Sequence, residues 1–252
     1  MIQDKIKGVG VALITPFNNY DVDYEALGRM IDHVIDGGVD YIVALGSTAE
    51  TATLSIAERK QVLRFVVDHT AGRVPIVAGM GANDTRALVN HLKDFDLTGT
   101  VAILSVVPYY NKPSQEGIYR HFMAVADASP VPVIIYNVPG RTGLNMTAAT
   151  TLRLAHATPK IVAIKEACGN IEQMQAILDG RPEDFLVLSG DDGITVELVK
   201  RGGDGVISVA ANAFPERFCG CVHNAMKGNI ELAESEIAEL TPAIDLLFKE
   251  GN

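Results

Sequence analysis

The first thing missing from the chain is a cluster of basic residues. Its 252 residues carry 21 Lys and Arg against 31 Asp and Glu, a formal net charge of −10. A phosphate-binding surface needs grouped cations, so nucleic acid is not an expected partner. No apolar run approaches the roughly 20 residues that cross a bilayer. Met1-Ile2-Gln3-Asp4-Lys5 also lacks the basic region, apolar stretch and cleavage site of a secretory leader. The expectation is a soluble, cytoplasmic protein with no membrane partner.

Cysteine is scarce as well. Cys168, Cys219 and Cys221 are odd in number, and Cys219-Gly220-Cys221 is too tight for a CxxC redox or zinc pair. They read as reduced packing residues. The six histidines (His33, His69, His91, His121, His156 and His223) all fall in segments of helical pattern, and no His-x-His or two-His-plus-carboxylate set occurs. No metal is expected, and the histidines read as solvated or packing residues.

What the chain does contain is a rhythm. Short β-branched apolar runs recur at 9–14, 41–45, 75–79, 101–107, 131–137, 161–165, 185–189 and 205–209, each followed by a helical pattern. Asp23 to Asp36 carries an apolar stripe through Leu27, Met30, Ile31, Val34 and Ile35. Ser55 and Glu58 form a Ser-x-x-Glu capping box. Gly37-Gly38 and Gly202-Gly203 stop helices just before strands. Strands that are apolar almost throughout imply a sheet covered on both faces, hence parallel. Eight βα units imply a closed (β/α)8 TIM barrel. The alternative, an open doubly wound sheet, usually has a glycine-rich phosphate loop after its first strand. Here that strand runs into Ile14-Thr15-Pro16-Phe17. Residues 1–227 are the expected catalytic barrel. Residues 228–252 form a partial C-terminal helical region, with a stripe through Leu232, Ile237, Leu240, Ile244 and Leu247 that must pack on the barrel or on another subunit.

In such barrels catalytic groups sit at the C-terminal ends of strands. Lys165 ends the apolar run Ile161-Val162-Ala163-Ile164. Burial there disfavours the ammonium and leaves a neutral amine, able to form an imine with a ketone. The other reading of Lys165 is an ion pair with Glu166 or Asp191 that serves stability alone. Its neighbours favour chemistry. Tyr110 follows strand four, Tyr136 lies at the end of strand five, and Ser47 and Thr48 follow strand two; such hydroxyls can relay protons without adding charge. Gly46 and the short side chains after it would let backbone N–H groups face a carboxylate. Arg141, after a Pro-Gly turn, offers a fork for a second one. Asp191 and Asp192 read as loop-fixing residues.

At these residues the sequence resembles the dihydrodipicolinate synthase / N-acetylneuraminate lyase family. The resemblance runs from about Gly8 to the C-terminus. It rests on Gly46-Ser47-Thr48-Ala49-Glu50, Pro108-Tyr109-Tyr110-Asn111-Lys112-Pro113, Tyr136-Asn137-Val138-Pro139, Ile164-Lys165-Glu166 and Gly205-Val206-Ile207-Ser208-Val209. It implies that Lys165 forms an imine with pyruvate and that no separate cofactor is used. It implies that Tyr136 transfers protons beside Lys165, with Ser47 and Tyr110 completing a hydroxyl relay. Tyr110 would reach across a subunit interface of a homodimer or homotetramer. Thr48 would hold the pyruvate carboxylate and Ile207 would line the pocket. Arg141 resembles the synthase branch, which implies condensation of pyruvate with aspartate semialdehyde. Another pyruvate-type aldolase, a 2-keto-acid dehydratase, and a catalytically silent pyruvate-binding protein stay open as alternatives. Family members continue through further C-terminal helices, and this chain ends inside that region.

Ser47 stands where the synthases usually have threonine, so the relay keeps its hydroxyl and loses a methyl. The lysine-feedback site of some members uses acidic and histidine side chains. Here the matching places hold Ala87, Ile56 and Arg59, although Asn83 and Tyr109 match. Feedback by lysine is therefore expected to be weak or absent. Titrating activity with lysine checks this, and half-inhibition well below millimolar would overturn it.

Overall fold

The computed structural model describes residues 1–250. Eight parallel strands close into a barrel in which each pairs with its sequence neighbours and the last pairs with the first. They are β1 (Gly8–Ala12), β2 (Tyr41–Ala44), β3 (Ile76–Gly79), β4 (Ala102–Val106), β5 (Val133–Asn137), β6 (Ile161–Glu166), β7 (Leu186–Ser189) and β8 (Gly205–Ser208). All eight expected runs are strands, with ends that differ by at most two residues. A two-stranded hairpin, Phe17–Asn18 with Asp21–Val22, was not legible in the sequence. It follows β1.

The outer ring is α1 (Tyr24–Asp36), α2 (Ile56–Thr70), α3 (Thr85–Asp94), α4 (Gln115–Ala128), α5 (Ala148–Ala157), α6 (Ile171–Gly180), α7 (Thr195–Lys200) and α8 (Pro215–Met226). The capping box of α2 forms as expected: Glu58 N–H donates to Ser55 Oγ at 3.3 Å, and Ser55 N–H donates to Glu58 Oε2 at 2.7 Å. Gly38 and Gly202 take left-handed φ values of 89° and 98°, ending α1 and α7.

Strand alternation separates two apolar regions. Ile134, Tyr136, Ala163, Leu186, Leu188 and Ile207 fill the barrel interior. Val133, Ile135, Ile164, Val187 and Val206 face the helices in a larger core. At the base of the barrel Tyr41 is fully buried, its hydroxyl donating to the Val206 carbonyl at 3.3 Å. All six histidines lie in helices, as expected. His121 is buried, and burial pushes its pKa down to about 4, so it packs as a neutral ring. The three cysteines are free, with Cys219 and Cys221 buried.

A further helix, α9 (Ile230–Leu247), packs on α8 and α7. Its buried face is Ala233, Ile237, Leu240 and Ile244. The expected stripe is therefore corrected at both ends, because Leu232 and Leu247 are exposed. Leu232 is five residues from Ile237, whereas Ala233 is four, and only three- and four-residue steps stay on one helix face. The helix continues through Pro242, where the Ala238 carbonyl loses its usual donor.

Closure of the barrel depends on glycine. Gly8 pairs with Gly205 where β1 meets β8. Gly205 has φ +138°, and a Cβ there would overlap the Gly8 carbonyl oxygen. Gly205→Ala is therefore expected to destabilise the fold by roughly 1–3 kcal/mol. Urea unfolding checks this, and an unchanged midpoint would show that the seam tolerates a side chain.

Candidate active site

The C-terminal ends of the strands open into a cleft of about 600 Å³. Ser47, Ile56, Arg59, Tyr109, Tyr136 and Arg141 are among the residues that line it. Tyr136 and Lys165 are partners in the β5–β6 register. Alternation turns both side chains into the barrel, and Lys165 Nζ stands 4.4 Å from the centroid of the Tyr136 ring. Lys165 is 4% exposed, beside Tyr136, whose side chain lines the cleft. Gly190 gives its chain room, since a Cβ there would lie 3.1 Å from Lys165 Cε.

Burial sets the protonation of this pair. It lowers the Lys165 pKa from 10.5 to about 8; nearby Asp192 pulls the value up and Arg141 pushes it further down. An amine with that value is about one-quarter neutral at pH 7.5, against about one part in a thousand for an ordinary lysine. Burial raises the Tyr136 phenol above its ordinary value, while Arg141 and a hydrogen bond with Ser47 moderate the rise. The phenol therefore stays protonated beside a partly neutral amine, an arrangement suited to passing a proton between carbon, nitrogen and oxygen.

Neither ion pair considered for Lys165 forms. Glu166 is next in β6, so its side chain leaves on the opposite face. Asp191 Oδ1 accepts from Gly193 N–H at 2.9 Å. Asp192 supplies the negative charge felt by Lys165, a contribution the sequence did not reveal. Its Oδ2 is tied to the Val209 and Ala210 N–H groups at 3.1 and 2.9 Å. Both aspartates fix loops, as expected.

Ile207 is buried in the same interior cluster as Tyr136. Arg141 sits on a single helical turn, Pro139–Thr142, directly after β5, which ends in the left-handed Gly143. Gly46 does not take a left-handed conformation; Leu45 does, at φ 58°. The glycine this turn needs is across the sheet, because a Cβ on Gly79 would overlap the Leu45 carbonyl oxygen. Ser47 and Thr48 thus lie between two strained residues, Leu45 and Glu50, the latter at φ 53°. Tyr110 stands apart from the cluster. It is 87% exposed on a left-handed backbone at φ 72°. Within one chain the structure gathers Lys165, Tyr136, Ser47 and Arg141 and leaves Tyr110 outside.

The model of the dihydrodipicolinate synthetase family matches residues 5–252. The chain belongs to that family. It is 52% identical to a 4-hydroxy-tetrahydrodipicolinate synthase of Parabacteroides distasonis, covering all of this chain and 85% of the relative. Identity to the synthase of Phocaeicola vulgatus is 51% over the same shares. Among solved structures, a dihydrodipicolinate synthase from Thermotoga maritima superimposes with TM-score 0.94 at 34% identity, over 97% of this chain and 84% of that one. The Aquifex aeolicus enzyme gives 0.93 at 40%, over 96% and 83%. Membership in the dihydrodipicolinate synthetase family confirms the resemblance drawn from the strand-end motifs.

The low Lys165 value carries a pH signature. Imine formation with pyruvate should rise about tenfold per pH unit below about 8 and level off above it. Arg141→Met removes a positive neighbour and should move the inflection up; Asp192→Asn removes a negative one and should move it down. Single-turnover rates from pH 6 to 10 check both, and a wild-type inflection near 10.5 would contradict the buried, neutral amine.

Proposed function

We propose that this protein is a 4-hydroxy-tetrahydrodipicolinate synthase, which condenses pyruvate with L-aspartate 4-semialdehyde as a class I lyase of lysine and diaminopimelate synthesis. The observation that carries the reading is the buried Lys165 amine held over the ring of Tyr136, a residue that lines the cleft. Family membership adds the reaction.

In this reading the neutral Lys165 amine adds to C2 of pyruvate, forming the C–N bond and an alkoxide that takes a proton. Loss of water from the carbinolamine, with a proton delivered to the leaving hydroxyl, gives the iminium. The protonated nitrogen then accepts the electron pair released when a methyl proton leaves, giving the enamine. Its terminal carbon attacks the aldehyde of the second substrate, and the new alkoxide is protonated. Tyr136 moves these protons, with Ser47 beside it. The covalent imine is the electron sink, and no separate cofactor enters.

Thr48 and the turn starting at Gly46 are assigned to the pyruvate carboxylate, and Ile207 to the apolar wall around the imine. Arg141, which lines the cleft, is assigned to the carboxylate of the semialdehyde. Tyr110 is assigned to the site of a neighbouring copy in a homodimer or homotetramer. Its support is the extreme exposure of a large aromatic held on strained backbone. No helix among the described residues is long and apolar enough to cross a membrane. The cytoplasm is the proposed compartment.

Incubation with pyruvate, borohydride reduction and peptide mapping test the assignment. The expected outcome is one reduced pyruvate adduct on Lys165, absent from Lys165→Ala. Adduct on another lysine, or none in a folded sample, would sink it. Turnover restricted to a different aldehyde would refute the synthase reading while leaving the imine intact.

A further inference from the structure

The outward faces of β5 and β6 carry polar residues at the point where the inward faces carry Tyr136 and Lys165. Asn137 and Glu166 are the next partners in the same register, and both are fully buried. Elsewhere these outward positions are apolar: Val133, Ile135, Ile161 and Ile164. A carboxylate among them is strongly disfavoured unless its oxygens are met.

They are met by neutral amides. Asn137 Nδ2 lies 2.9 and 3.1 Å from Glu166 Oε1 and Oε2. Cys168 N–H donates to Oε1 at 2.9 Å, and Gln173 Nε2 of α6 donates to Oε2 at 3.0 Å. Asn137 Oδ1 accepts from Met146 N–H at 3.0 Å, and Asn145 Nδ2 donates to Gln173 Oε1 at 2.8 Å. The network thus joins the tips of β5 and β6, the loop before α5 and the first turn of α6. The mechanism assigned above uses none of its members.

We infer that Glu166 is a positioning residue, clamping through Asn137 and Gln173 the two strand tips that present Tyr136 and Lys165 to the substrate. This inference rests on the assignment of those two residues as the imine and proton-transfer pair. Strand geometry carries the effect from one face to the other. In a strand, fixing one residue's outward side chain fixes the backbone from which the preceding residue points inward. Glu166 and Asn137 do this for adjacent strands at once, through each other. Only an acceptor on every side satisfies the donors around Glu166. An amide of the same shape sets N–H against the N–H groups of Gln173 and Asn137, and the tips must shift apart.

A misplaced pair should bind pyruvate yet transfer protons slowly. The readout is exchange of the pyruvate methyl protons with D2O, which requires enamine formation, measured beside the KM for pyruvate. Glu166→Gln is expected to slow exchange and borohydride trapping by roughly tenfold to a hundredfold with KM nearly unchanged. Exchange within about twofold of wild type, or a raised KM at unchanged exchange, would overturn the inference. Where Glu166→Gln does not fold, Gln173→Met decides, because it removes one contact and leaves the carboxylate. About threefold slower exchange at unchanged KM supports the clamp, and unchanged exchange refutes it. Wild-type protein is the control. If it shows neither exchange nor an adduct on Lys165, the site assignment fails, a result distinct from failure of the clamp.

Discussion

A primary amine becomes nucleophilic near neutral pH when water is withheld from its protonated form, and the barrel interior does this to Lys165. Desolvation is the largest influence on that side chain, exceeding the opposing pull of Asp192 and the smaller push of Arg141 in its own direction. The same burial keeps the Tyr136 phenol protonated. Both effects require a dry floor to the cleft, which the interior side chains around Ile207 and Leu188 supply. The fold creates the reactivity before any specific contact refines it.

Each strand of the barrel serves two environments, and β5 and β6 are the pair in which one face must do chemistry. Their inward tips hold Tyr136 and Lys165, the proposed reacting pair. Their outward tips replace the apolar pattern with a satisfied amide–carboxylate network. Rigidity at the reacting groups comes from buried polar contacts a few ångströms behind them, where geometry is less forgiving than in apolar packing. Backbone strain is distributed in a related way. Leu45, Glu50, Tyr110 and Lys112, four of the six non-glycine residues with positive φ among the described residues, lie in the loops after β2 and β4. Gly79 makes room for the first of these without contributing a side chain of its own.

Most of the architecture was legible in the linear pattern. Eight β-branched runs separated by helical segments became eight parallel strands, because apolar residues on both faces of a strand have few other ways to leave water. Lys165, Tyr136 and the hydroxyls after β2 stood out because polar residues interrupt apolar runs at places the fold makes functional. The hairpin after β1 was missed, since a two-residue strand has no period to detect. The stripe of α9 was misjudged at Leu232, where spacing favours Ala233, and at Leu247, the last residue of the helix, which is exposed although its spacing fits the buried face.

The sequence by itself determined the barrel and singled out Lys165, Tyr136, Ser47 and Arg141 as candidates near the ends of its strands. Tertiary structure decided the rest. It set Lys165 against Tyr136 through the β5–β6 register and made Asp192 its electrostatic neighbour from a loop beyond β7. It sent Glu166 away from Lys165 and into a network with Asn137 and Gln173. It also left Tyr110 outside the site of its own chain. Periodicity along the chain reports which way a side chain points. Distances between side chains on different strands depend on register and on closure at the Gly8–Gly205 seam, which no single segment encodes.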